Sequence, residues 1–188
     1  HLLMANAKRS GWVFVHGLVG ESLKRQAEFE GQRFEHHRAV AEMLKEREFM
    51  APRRGRHLYA AGELEAAIPV LLEGGWQCFH SGRIALGLEL SVMRERALVT
   101  LRIPEEDLRW ADGWMLKERF LAHRKEFPAV LALVEKVLEK TENTLGARRL
   151  RAHVWYRKGT IHRLMSQPEE ARVCLNRAMQ AAIDDPVV

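Results

Sequence analysis

Cysteine is nearly absent: Cys78 and Cys174 are the two in 188 residues. Neither belongs to a Cys-x-x-Cys pair, so they build no disulfide framework and no zinc knuckle, and each is expected to be a small buried apolar residue. Metal-binding histidine patterns are missing as well. There is no His-Glu-x-x-His, and His57, His80, His123, His153 and His162 have no i, i+4 partner among themselves. His36 and His37 are adjacent and point about 100° apart on a helix, so they cannot share one ion, and no metal is expected. Gly17 and Gly20 flank no serine, so the nucleophile elbow Gly-x-Ser-x-Gly is lacking, and the chain is not expected to be an enzyme. No uncharged apolar run approaches the roughly 20 residues of a membrane helix, and the N-terminus has no short apolar signal core; a cytoplasmic location is expected.

What is present suits a folded protein. Hydrophobic residues make up 47% and charged residues 29%, too apolar for a disordered chain. The length allows one domain with a sizeable core or one short solenoid, and excludes two large catalytic domains. The chain begins at His1 and stops at Asp184, Asp185, Pro186, Val187 and Val188, which leads us to expect a piece of a longer polypeptide.

Glycine and proline divide most of the sequence into helix-length pieces. One stretch reads as strand: Trp12, Val13, Phe14 and Val15, preceded by the turn-like Lys8 to Gly11, with His1 to Met4 as candidate hairpin partner. Helices are expected over 18–29 and 32–47, the second with Phe34, His37, Val40, Ala41 and Leu44 on one face. Pro52 and the arginines around it break that pattern and set an expected boundary. Helices then follow over 56–61, 63–80, 83–101 and 105–123, with Pro69 expected to bend the second of these or delay its start. From Pro128 on, Val130, Val134, Val137 and Thr141 form a stripe widened by Leu131 and Leu138. In the last hairpin Leu150, Val154, Ile161 and Leu164 line one stripe, and Ala152, Trp155 and Gly159 another. Ser166 with Glu169 has capping-box spacing, and Pro168 fits a first turn. Ala171, Cys174, Leu175, Ala178 and Ala182 then make a small-residue stripe for Trp155 and Gly159.

Trp155, Gly159, Ala171 and Ala178 follow one another at offsets of four, twelve and seven. These spacings resemble the tetratricopeptide repeat, although Lys158, His162 and Leu175 replace its usual Leu, Tyr and Phe. Gly55, Ala67 and Gly74 repeat the last two offsets. The resemblance implies an all-α fold, a degenerate tetratricopeptide-like helical-hairpin solenoid over 51–188, in which each hairpin covers its apolar face with the next. A second resemblance lies in front: Trp12, Phe14, His16, Leu18, Val19, Glu21 and Leu23, then Arg33, His37, Val40, Ala41 and Leu44, then His57, Tyr59, Ala61, Gly62 and Glu63. Their order is similar to the junction in bacterial signalling ATPases of the STAND class, where the winged helix ending an AAA-type module runs into helical repeats. It implies that residues 1–50 are the C-terminal part of a winged-helix-like segment whose β-hairpin comes first. Such modules are fused to serine/threonine kinase, adenylate cyclase or DNA-binding domains.

No Gly-x-x-x-x-Gly-Lys-Ser/Thr is present, so this segment is expected to hold no cofactor itself. The resemblance places any ATP or ADP upstream and makes His16 the candidate that senses the nucleotide phosphates, its imidazole N–H donating to a phosphate oxygen. The expected role is non-catalytic protein–protein recognition and regulation, with a protein or peptide on the repeat surface and the upstream ATPase module as partners. The five tryptophans are expected first as core residues; Trp110 and Trp114, four apart on one helix face, are the pair among them most expected to be exposed or at an interface. They are candidate partner-binding residues, together with Arg53, Arg54 and Arg56. Trp155, Gly159, Ala171 and Ala178 are the candidate repeat-packing residues. The net charge of +5 and the second basic cluster, Arg148, Arg149, Arg151, Arg157 and Lys158, carry the alternative, a nucleic-acid-binding segment of a transcriptional regulator. Against it, 25 acidic residues are interspersed, and basic residues commonly form a solvated helix face.

Overall fold

The computed structural model describes residues 3–6, 11–14, 21, 22, 25 and 32–183. Strands β1 (Leu3–Asn6) and β2 (Gly11–Phe14) pair antiparallel, with Leu3 opposite Phe14 and Asn6 opposite Gly11. Glu21, Ser22 and Arg25 are helical; the rest of the helix expected over 18–29 lies outside the described residues. Helices account for nearly all the remaining order: α1 (Arg33–Met43), α2 (Ala51–Ala60), α3 (Leu64–His80), α4 (Ile84–Thr100), α5 (Leu108–His123), α6 (Phe127–Lys140), α7 (Arg148–Leu164) and α8 (Pro168–Ile183). The molecule is predominantly α. None of these helices is long and apolar enough to cross a membrane.

Each helix packs on the one after it. Near the middle α2 also reaches α4, and α3 reaches α5. The buried apolar residues form two clusters in the same order. One gathers Ala41, Leu58, Leu71, Cys78 and Leu90 from α1 to α4; the other runs from Ile68 and Leu98 through Trp114, Val130, Val134 and Val137 to Val154 and Ile161.

Five of the helix ends share one device. At Gly62, Gly82, Arg102, Lys125 and Ser166 the backbone takes a positive φ. The N–H of that residue donates to the carbonyl three residues back, and the next N–H to the carbonyl five back, as in Glu63 to Leu58 and Gln167 to His162. This pair of bonds satisfies two carbonyls that a helix end would leave bare. After four of the five, the next helix starts two residues later. The exception is the connection from Arg102 to Asp107, where the Asp107 carboxylate accepts from the Arg109 N–H and caps α5.

Several expectations are corrected. The helix expected over 56–61 begins at Ala51, with Pro52 in its first turn, where its missing N–H costs nothing. α3 starts at Leu64 and continues through Pro69. Ser166 forms no capping box: it occupies the left-handed position after α7, and α8 begins at Pro168. Phe34 is 57% exposed, so the covered face of α1 is His37, Val40, Ala41 and Leu44. Leu164 and Ala182 are exposed too.

Close helix approach occurs at glycines. A Cβ on Gly159 would lie 2.9 Å from the Leu175 side chain and 3.1 Å from the Ala171 carbonyl; one on Gly55 would lie 2.9 Å from Leu71. In both hairpins the leucine follows the glycine by sixteen residues. Ala171 and Ala178 are buried, and Arg177 of α8 lies 4.7 Å over the Trp155 ring.

A left-handed residue with a side chain costs about 1 kcal/mol that glycine avoids. Lys125→Gly, exposed at such a position, is expected to raise the urea-unfolding free energy by about that amount, and Gly62→Ala to lower it similarly. A loss of stability in Lys125→Gly contradicts this account of the turn.

Candidate functional site

A groove of about 640 Å³ opens between α4, α5 and α6, with Tyr59 of α2 at one end. Its wall on α4 is Val92, Glu95, Arg96 and Val99, at helical spacings of three, four and seven, so they share one face. The opposite face of α4 buries Leu90, Arg94, Ala97 and Leu98. Val92 and Val99 are 40% and 65% exposed, an apolar surface presented to water. Trp110 and Trp114 of α5, with Leu133 of α6, complete the apolar lining.

The two tryptophans correct an expectation: they are 6% and 3% exposed, core residues whose surfaces also line the groove. The reason is local, since α5 is covered by α3, α4 and α6 together. The long Arg102–Asp107 connection helps to fix them, because the Trp110 indole Nε1–H donates to the Ile103 carbonyl at 3.0 Å. The two rings lie 5.4 Å apart, and the Lys136 ammonium sits 4.4 Å from the Trp114 ring centre, a cation–π contact.

Charge is arranged around this lining. Lys117 donates to Glu95 at 2.9 Å, and Lys136 to Glu105 at 2.6 Å. The Lys136 hydrogen bond holds the Glu105 carboxyl below its usual range. Arg96 lines the same groove, and among the described residues no carboxylate pairs with it. The groove thus offers two compensated lysines, one uncompensated guanidinium and a strip of valine, tryptophan and leucine. That chemistry suits binding.

The other strongly buried charges are structural. Glu118 on α5 is 0% exposed, and it accepts from Arg157 of α7 at 2.7 and 3.2 Å, with Arg119 at 3.5 Å. His153, also on α7, faces Arg119 at 3.4 Å. Burial, then the Arg119 and Arg157 charges, push its pKa down, so the imidazole is neutral at pH 7. Arg94 is buried beneath α5, where a Cβ on Gly113 would collide with its guanidinium, and it donates to the Arg109 carbonyl. Burial lowers its pKa to about 10, so it remains charged.

The other sequence candidates are scattered. His16 lies outside the described residues. Arg53, Arg54 and Arg56 are on α2, and Arg56 pairs loosely with Glu89 of α4 at 3.5 Å. In the second basic cluster Arg157 is spent on Glu118, Lys158 on Glu135 at 3.0 Å, and Arg151 on the Leu138 carbonyl. No group of three or more metal-ligating side chains occurs among the described residues. Val92, Val99 and Arg96 were missed, although their one-face spacing along α4 was a usable signal. No protein-family model matches the chain, and no curated protein or solved structure matches it.

Removing one partner of a buried ion pair strands the other charge, at roughly 3–5 kcal/mol. Glu118→Gln is expected to lower the denaturant-unfolding free energy by about this much, while Glu118→Leu combined with Arg157→Leu recovers most of it. A loss below ~1 kcal/mol in the single variant means that the pair does not tie α5 to α7.

Proposed function

We propose that this chain is the partner-recognition segment of a larger bacterial signalling ATPase of the STAND class, and that it binds a peptide segment of another protein in the α4–α6 groove. On this reading α2 to α8 form a degenerate tetratricopeptide-like stack, and residues 1–50 are the end of a winged helix. The matched glycine–leucine contacts of the first and last hairpins and the recurring helix-end turn support the stack. The resemblance extends to chains that carry a serine/threonine kinase domain, which would be the output. Any nucleotide belongs to the upstream module, with His16 as its sensor, and the segment acts by binding.

The observation that carries the reading is the strip of exposed Val92 and Val99 beside Trp110, Trp114 and the uncompensated Arg96. An apolar strip framed by a few placed charges is how peptide sites combine affinity with orientation. The occupant that fits has an aliphatic or aromatic anchor next to an acidic residue, the anchor covering the valines and the carboxylate meeting Arg96. Binding shifts an ATPase between closed and open assemblies only if the peptide prefers one of them.

Selection of a displayed random peptide library on the full chain tests this. Enriched peptides are expected to carry an acidic residue beside an apolar anchor. Their affinity, read by fluorescence anisotropy, is expected to fall at least tenfold in Val99→Glu and in Arg96→Glu, with Ile183→Glu on α8 as an unaffected control. No enrichment, or equal affinity in all three variants, contradicts the proposal.

A further inference from the structure

His37 on α1 and His57 on α2 meet ring to ring across the joint between the first described helix and the rest of the array. Their Nδ1 atoms are 2.8 Å apart and their ring centres 5.0 Å apart, tilted by 45°. Two imidazoles can make this contact in one way: one ring's Nδ1–H donates, and the other's bare Nδ1 accepts. The accepting ring must therefore be neutral at Nδ1. A first proton can be taken on the donor's Nε2 without breaking the bond, but a second must fill the accepting Nδ1 and leave two N–H groups facing each other.

The surroundings resist that charge. On α1, Arg33 and His36 act on His37; on α2, Arg53 and Arg56 act on His57, and Arg56 is only loosely held by Glu89 of α4. Burial is the largest influence on both rings, and these neighbouring charges add to it, so both pKa values lie below the ordinary imidazole value. The carboxylates at the joint are engaged elsewhere, since Arg38 of α1 pairs with Glu63 of the α2–α3 turn and, at 2.9 Å, with Glu35. That pair is the clasp that remains when the histidines charge.

We propose that the His37–His57 contact is a proton-gated latch that holds α1 on the helical array at neutral pH and lets it go on acidification. The sign follows from linkage. A base whose folded-state pKa is depressed contributes stability that is fully present above its unfolded value, near 6.5, and is lost as pH falls through the folded value. Because the first proton can be held on the donor's Nε2 with the bond intact, release follows the second protonation of the pair. Its consequence is mechanical: α1 is packed on α2 alone among the described helices, so its release detaches the whole helix from the array.

Amide hydrogen exchange on the full chain, corrected for the intrinsic pH dependence of exchange, tests the latch. Protection of residues 33–43 is expected to fall at least tenfold between pH 7.5 and pH 5.0, while α3 to α5 change little. His37→Gln and His57→Gln, which cannot titrate, are expected to abolish this difference. A measurement on the unaltered chain needs no variant to fold: NMR titration of the two imidazoles is expected to show both below pH 6.5, with the loss of protection following the second step. Uniform loss across all helices, a pH dependence that survives in both variants, or release that does not track the imidazoles would each overturn the proposal.

Discussion

Each helix of this chain hides its apolar stripe against the helix before it and the helix after it, and that arrangement depends on how the backbone reverses between them. The reversal is the left-handed residue at the helix end with its pair of backward hydrogen bonds, used at 62, 82, 102, 125 and 166. It satisfies the carbonyls of one helix and, at four of the five, places the start of the next two residues on. Where the glycine lies on the contact line, as at Gly55 and Gly159, the helices come close enough for a leucine side chain to fill the space of the missing Cβ. Neighbour-to-neighbour covering leaves the remaining faces to water, and there the α4–α6 groove is found.

Several of the basic residues are taken up by this packing. Arg94 lies buried over Gly113, Arg157 holds the buried Glu118 carboxylate, and Lys117 and Lys136 are neutralised along the groove. Arg157 meets the hydrogen bonds of the buried Glu118 carboxylate, and Arg94 donates to the Arg109 carbonyl although its Nε has no partner among the described residues, so these residues read better as internal struts than as a phosphate-seeking surface. Arg96 differs because it sits on the apolar strip without a paired carboxylate among the described residues, and it gives the groove its polarity.

How much of this was legible depended on the residue type at each turn. Gly62 and Gly82 announce their helix ends, because glycine takes a positive φ without strain. Arg102, Lys125 and Ser166 adopt the same conformation and give no such notice, which is why the last turn read as a capping box at Ser166. The stripe of Val130, Val134, Val137 and Thr141 was plain, since a helix packed on both sides carries a wide apolar face. The exposure of Trp110 and Trp114 was misjudged because spacing places residues on a face and cannot say how many neighbours cover it. His37 and His57, twenty residues apart on different helices, share no local pattern, and only the packing of α1 on α2 brings their nitrogens together.

Covering chiefly by nearby helices makes stability a sum of local interfaces instead of one global property. The most direct measurement is native-state hydrogen exchange of the full chain across a series of sub-denaturing urea concentrations. The account predicts that the amides of α1 and α8, each packed on a single described helix, open at lower free energies and with smaller urea dependence than those of α4 and α5. A single opening free energy and a single urea dependence shared from α1 through α8 would contradict it.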